Sequence, residues 1–250
     1  MALGEIFFDN GGAGIRIGLI VLSTDMTTEN GFRAALVGQD VSYHTTRVLT
    51  VNPLTEDNLR KMGPQLAECA ARLLPEMPLD VIAYSCTSAT VALGFETVAK
   101  QIRAGRPGIP VTTPATAALN AFAHLERQRI ALFTPYPEPV GKMMAGFLAE
   151  HGVDVVKQTH LGIESDADMP FVSLESLTSL ALNADHPDAD ALFISCTAIR
   201  AMEVLEALEN ELGKPCMSSI QCLLWDSLRV SGHNKPIVGF GRLLSTPATE

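Results

Sequence analysis

The sequence predicts an α/β protein made of two similar halves, each a parallel sheet flanked by helices. Three observations predict it. Short apolar runs of strand character alternate with stretches of helical spacing along the chain, the pattern of a parallel sheet. The run Asp80-Val-Ile-Ala-Tyr-Ser-Cys86-Thr87 recurs as Asp190-Ala-Leu-Phe-Ile-Ser-Cys196-Thr197, 110 residues later. Arg16-Ile-Gly-Leu-Ile-Val21 has a counterpart in Arg129-Ile-Ala-Leu-Phe-Thr134, and each precedes a loop of functional character. A repeat this long marks duplicated halves rather than a solenoid, whose periods run to about 20–50 residues.

Taken in order, Arg16–Leu22 is a buried strand, and Ser23-Thr-Asp-Met-Thr-Thr-Glu29 is a loop suited to cap the next helix. Val41–Val51 is rich in β-branched residues and reads as a second strand. Thr55–Leu74 has helical periodicity behind a Thr-x-x-Asn start. Asp80–Ser85 is a strand and Ser88–Ala104 a helix; Gly105-Arg-Pro-Gly-Ile-Pro110 then breaks the chain before a short strand, Val111–Thr113. The second half gives a strand at Arg129–Thr134, the loop Pro135–Pro139, a helix at Val140–His151 and a strand at Val153–Gln158. A helix at Leu174–Asn183, a strand at Asp190–Ser195 and a helix at Ile199–Leu212 follow, the last ending at the cap position Gly213. Gln221–Val230 is a final helix and Ile237–Phe240 a closing strand. The boundary falls near residue 112, and the segment after about 216 returns to the first half. The first subdomain is then 1–112 plus 217–250, and the second 113–216.

Composition narrows the function. Apolar residues are 47% and charged residues 18% of 250, which describes a globular chain with a sizeable core. A net charge of −10 argues against nucleic acid, whose phosphates call for a basic surface. No apolar run approaches the ~20 residues that span a bilayer. Met1–Gly14 has no Lys or Arg to open a signal peptide, so a cytoplasmic location is expected. Gly11-Gly-Ala-Gly14 lacks a preceding strand and is not a phosphate loop. The apolar fraction suits a homo-oligomer.

Five cysteines without CxxC spacing make neither a disulfide framework nor a zinc site. Cys69, Cys216 and Cys222 read as packing residues. Cys86 and Cys196 differ, because both stand at the carboxyl end of a strand and before helical spacing. Ligands of open parallel sheets bind at that end. A helix N-terminus there favours the thiolate, the reactive form of cysteine. Two such halves place a thiol on each side of a shared cleft, where they can transfer protons or form an adduct without a cofactor. The six histidines show no metal spacing; His44, near a strand end, is the one candidate for a supporting role. Trp225 reads as core or a subunit contact.

The motifs Ile17-Gly-Leu-Ile-Val21, Ser85-Cys-Thr-Ser88, Thr134-Pro-Tyr136, Ser195-Cys-Thr197 and Ser219-Ile-Gln221 with Trp225 and Leu228-Arg229 span nearly the whole chain. Together they resemble the aspartate/glutamate racemase superfamily, and within it the branch of maleate cis–trans isomerases and arylmalonate decarboxylases. The resemblance implies two pseudo-symmetric flavodoxin-like subdomains, a site between them, a small-molecule carboxylate substrate, and neither metal nor organic cofactor. It implies that Cys86 is the nucleophile or one of two acid–base thiols, and that Cys196 is the opposing thiol. Thr87, Ser88 and Tyr136 are implied as the cradle for a carboxylate and an enediolate, and Thr197, which follows Cys196 as Thr87 follows Cys86, is a further substrate-binding candidate. Decarboxylases of the branch keep only the second-half thiol, so two thiols favour an isomerase or racemase over a decarboxylase. A catalytically silent binding protein using the same cleft is the rival of a different class. Where maleate isomerases carry asparagines, this chain aligns Asp25 and Asp166, although Asp168 competes for the second place. Two carboxylates facing a dianion are unfavourable and suit a nitrogen-bearing acid instead. The Ser23–Glu29 loop is similar to that of a subgroup associated with ectoine and hydroxyectoine utilisation. The bland reading makes Asp25 a helix cap and Asp166 a surface residue.

Overall fold

The computed structural model describes residues 12 and 14–247; the rest of the Met1–Gly14 segment lies outside them. Two four-stranded parallel sheets carry the fold. The first runs in the order β2-β1-β3-β4, from β1 (Ile15–Leu22), β2 (Val41–Val48), β3 (Val81–Tyr84) and β4 (Val111–Thr112). The second repeats that order as β6-β5-β7-β8, from β5 (Arg129–Thr134), β6 (Asp154–His160), β7 (Ala191–Ile194) and β8 (Cys216–Ser218). β3 and β7 are buried throughout, because helices cover both faces of a parallel sheet. Ile20 pairs with Tyr84 in one sheet and Phe133 with Ile194 in the other, so equivalent strand ends are aligned.

Several expected helices divide, each for a local reason. Thr55 caps α2 (Glu56–Arg60) by accepting the Asn58 amide at 3.2 Å. A 3-10 turn at Gly63–Gln65 then separates α2 from α3 (Leu66–Arg72), because Pro64 offers no amide to a continuous helix. Gly94, at a φ of 80°, divides α4 (Thr87–Leu93) from α5 (Phe95–Gly105). Ile199–Leu212 becomes helical only at α9 (Leu205–Leu212), after a 3-10 turn at Ala201–Glu203; α9 does end at Gly213, with a φ of 70°. Ile237–Phe240 forms no strand. Its Ile237 amide donates to the Leu244 carbonyl, and the Phe240 carbonyl accepts from Gln221, which ties the segment to α10 (Ser219–Val230) and α11 (Arg242–Ser245). α1 (Thr28–Ala35), α7 (Glu138–Glu150) and α8 (Leu174–Ala184) complete the set.

α6 (Pro114–His124), β8 and the short α11 escape the sequence reading. α6 is rich in alanine and carries little periodic contrast; its signals are the Thr113 cap and Pro114 in the first turn. β8 is too short to read. α6 and the helix after β8, α10, pack on each other and reach across the molecule. Phe122 of α6 stacks edge-on against Phe193 of the second sheet, with ring centroids 5.3 Å apart. α10 lies against β3 and β4 of the first. Buried Asp226 of α10 accepts from Asn120 at 2.9 Å and from the Thr112 hydroxyl, so one carboxylate joins α10, α6 and β4. Asp226→Ala leaves both donors unpaired. Urea denaturation is expected to show a lower midpoint, equivalent to roughly 2–4 kcal/mol, with secondary structure retained.

Candidate active site

Cys86 ends β3 in extended conformation and sits at the N-cap of α4. Its carbonyl accepts from the Thr90 amide at 3.2 Å and the Thr90 hydroxyl at 2.7 Å, which fixes the turn. The amides of Thr87 and Ser88 open α4 and have no partner within the helix, so they are donors available to an anion. The Cys86 sulfur lies 3.9 Å from the Ser88 hydroxyl and accepts from the Ala89 amide.

Cys196 is placed differently. The expectation of a helix directly after it fails, since Thr197–Arg200 runs through bends. Its sulfur accepts from the Ala198 amide at 3.2 Å, so a single turn amide does what a helix terminus does for Cys86. Tyr136, in the loop after β5, bonds to the same sulfur, and the Met169 sulfur lies 3.6 Å away.

The two Ser-Cys-Thr turns are bonded to each other. The Thr197 hydroxyl donates to the Ser85 carbonyl at 3.1 Å, and the Thr197 carbonyl accepts from the Thr27 hydroxyl. Thr28 links the Ser85 hydroxyl, at 2.8 Å, to Asp25. On the other side, the Thr87 hydroxyl donates to Ser219 at the start of α10, at 2.9 Å. The hydroxyls of Thr87 and Thr197, expected to line a carboxylate cradle, are therefore engaged within the protein, Thr87 with Ser219 and Thr197 with the opposite turn. Ser195, the counterpart of Ser85, has a buried hydroxyl with no partner among the described residues.

The two acidic candidates part company. Asp25 accepts the Thr27 amide at 2.8 Å, the Thr28 amide at 2.9 Å and the Thr28 hydroxyl at 2.6 Å. It stands two residues ahead of the N-cap of α1, Thr27, with both oxygens occupied by the turn that opens the helix. Asp166 opens the 3-10 turn Asp166–Phe171 that also carries Met169. It is 3% exposed, so the surface-loop reading fails for it. One carboxyl oxygen accepts from Thr24 at 2.6 Å, and its amide donates to Asn52 at 3.0 Å, both across the seam. No described group donates to its other oxygen. Its charge acts on Cys86, Cys196 and Tyr136 alike. Asp168, the competing position, stands aside from this network, its amide donating to the Ser165 carbonyl at 3.1 Å. Thr24, Asn52, Thr27 and Met169 went unread in the sequence; only the Ser/Thr-rich loop hinted at the threonines. His44 lies opposite Gly18 within β2 and meets Ser42, short of the strand's carboxyl end. Cys69, Cys216 and Cys222 are buried, as packing residues should be.

Enclosure governs the electrostatics. Cys86 is 3% and Cys196 2% exposed, so both thiols are shut away from solvent. Burial pushes the Cys86 thiol up to about 12, Asp166 adding to the rise while the Ala89 amide, Ser88 and Tyr84 oppose it. Burial also raises Cys196, again with Asp166 adding and with Tyr136 and the Ala198 amide opposing. Burial lifts Asp166 to about 6, against the pull of Thr24. Burial raises Asp25 as well, in spite of its bonds to Thr28 and Thr27. A carboxyl raised on folding favours the neutral form. Its stabilising contribution is complete below the unfolded value near 4 and is lost as pH rises through about 6. Asp166→Asn is therefore expected to melt higher than the parent at pH 8, with the gain shrinking to nothing as pH falls from about 6 to about 4. Thermal melts across that range check the sign.

The family model described as arylmalonate decarboxylase matches residues 17–244. A maleate isomerase of Nocardia farcinica (strain IFM 10152) is 28% identical over 240 residues, covering 92% of this chain and 95% of that protein. An arylmalonate decarboxylase of Bordetella bronchiseptica is 34% identical over 139 residues, 54% of this chain and 58% of its own. Among solved structures, a cysteine-to-serine variant of the Nocardia farcinica maleate cis–trans isomerase holds a covalently bound succinylcysteine intermediate. It superposes with a TM-score of 0.86 at 25% identity, over 94% of this chain and 99% of that one. A liganded arylmalonate decarboxylase double variant, glycine to cysteine and cysteine to serine, reaches 0.81 at 28% identity over 92% and 98%. Since the family match runs from β1 to α11, the chain belongs to the arylmalonate decarboxylase family.

Proposed function

We propose that the protein is a maleate isomerase-like enzyme that isomerises a small unsaturated carboxylic acid with Cys86 and Cys196 alone. One observation supports this reading: the Thr197 hydroxyl of one thiol-bearing turn donates to the Ser85 carbonyl of the other, so the two turns lie side by side. Two maleate isomerases matched over 95% and 96% of their length support it, while solved arylmalonate decarboxylases match over a similar span.

In the proposed reaction the Cys86 thiolate adds to one carbon of the conjugated double bond, forming the C–S bond. The electron pair moves toward the neighbouring carboxylate as an enediolate, and Cys196 protonates the adjacent carbon. Rotation about the new single bond follows. Cys196 then takes the proton back, and the C–S bond breaks to release the trans acid and the Cys86 thiolate. The enediolate is the demanding species, and Ser88, Tyr136 and the amides that open α4 are the donors suited to it.

The finer reading is a nitrogen-bearing acid, of the kind met in ectoine and hydroxyectoine breakdown. Asp25 does not support it, its oxygens being taken up by Thr27 and Thr28 ahead of α1. Asp166 does, because no cation is among the groups acting on either thiol. A dianion beside an ionised Asp166 is strongly disfavoured there, whereas an ammonium or amide nitrogen completes its open oxygen.

Decarboxylation is the second reading, favoured by the stretch that is 34% identical to an arylmalonate decarboxylase. The two separate by experiment. Proton NMR in D₂O with maleate, maleamate, arylmalonate, aspartate and diaminobutyrates is expected to show cis-to-trans conversion. Cys86→Ser and Cys196→Ser are each expected to cost roughly 10³-fold in kcat. An arylmalonate turnover that survives Cys86→Gly makes the enzyme a decarboxylase instead.

A further inference from the structure

We propose that Met169 is a positioning residue for Cys196, its thioether holding the thiol hydrogen and keeping that cysteine protonated between turnovers. The inference rests on the proposed role of Cys196 as the proton carrier. The Cys196 thiol donates to the Met169 sulfur at 3.6 Å, and its own sulfur accepts from the Ala198 amide at 3.2 Å. No other acceptor meets that hydrogen among the described residues. A thioether has lone pairs and no hydrogen to give. It stabilises the thiol and does nothing for the thiolate. The acceptor is also held in place from the other half. Met169 is fully buried in the 3-10 turn Asp166–Phe171. The first half clasps that turn, the Thr24 hydroxyl donating to the Asp166 carboxylate at 2.6 Å and Asn52 accepting the Asp166 amide at 3.0 Å. The direction of the Cys196 hydrogen is thus set across the seam.

The duplication sharpens the point. Cys86 has the Ser88 hydroxyl 3.9 Å from its sulfur, a group that donates as readily as it accepts and so suits either protonation state. At the matching position the second half has Ala198, which offers only its amide. One thiol therefore has a side-chain donor within reach, and the other an acceptor. The weakness of that acceptor suits a proton carrier. A carbonyl or carboxylate in the same place would hold the hydrogen firmly, whereas a thioether releases it to a substrate carbon at small cost. Once the hydrogen has gone, the thiolate faces a group that cannot donate to it, and it stays basic enough to take the proton back.

The infrared S–H stretch tests this without any substrate. The Cys196 band is the one lost from the parent spectrum in Cys196→Ser, and it is expected at lower wavenumber than the band of butanethiol in hexane. Met169→Leu nearly conserves volume and removes the acceptor. Its Cys196 band is expected to move up towards the butanethiol value, a change that loosened packing alone does not produce. A band left unmoved by Met169→Leu, in a variant with native circular dichroism, overturns the proposal. Should Met169→Leu not fold, a parent band at or above the butanethiol value overturns it equally. In turnover, loss of the acceptor weakens Cys196 as the base that reverses the addition. The Cys86 adduct of maleamate, quenched and read by peptide mass, is then expected to rise about threefold, the effect of one weak hydrogen bond. A level that stays the same contradicts the proposal. Absence of any adduct from parent and variant alike contradicts addition by Cys86 instead, and the infrared band alone then decides the role of Met169.

Discussion

The hydrogen bonds between the turns at Ser85 and Thr197 are the constraint on which the rest depends. Thr197 donates to Ser85 through its side chain and accepts from Thr27 through its carbonyl. A thiol at the end of one parallel sheet is a common packing feature. Two become a chemical pair only when their turns are fixed against each other, because an addition and a proton transfer at neighbouring carbons tolerate little displacement. The exchange of α6 and α10 serves the same end, since Asp226 and Ser219 tie the crossing helix to β4, α6 and the Cys86 turn.

Fixing the site this way requires a dry cleft, and dryness raises both thiols and Asp166. The free enzyme accordingly keeps both thiols protonated, with their reactivity held back until a substrate enters. Asp166 works against either thiolate. On the proposed reading, a substrate nitrogen that neutralises Asp166 would remove that opposition and so couple recognition of the substrate to activation of the nucleophile. A second carboxylate in the same place has the reverse effect.

The two sheets, the strand ends and both thiols were legible because duplication writes the same apolar run and the same Ser-Cys-Thr twice. α6 was not, because Ala115, Ala117, Ala118 and Ala121 bury small faces without a periodic contrast. The failed helix after Cys196 is a tertiary effect: Thr197 spends its carbonyl and its hydroxyl across the seam, and helical spacing from Ile199 onward cannot express that. Asp25 illustrates a limit of chemistry. The Ser/Thr/Asp composition that binds a substrate also caps a helix, and only the positions of the Thr27 and Thr28 amides decide between them. Asp166 stood out only through its alignment with a substrate-facing position of maleate isomerases. Its burial comes from Thr24 and Asn52, partners more than a hundred positions away that no local pattern connects to it.

The most direct measurement is the intact and peptide mass of the Cys196→Ser variant after incubation with maleate and with maleamate. With Cys196 no longer there to take the proton back, an adduct of one substrate molecule, protonated from solvent, should accumulate on the Cys86 peptide. An unmodified protein, or an adduct on any other residue, contradicts addition by Cys86 and with it the division of labour between the two thiols.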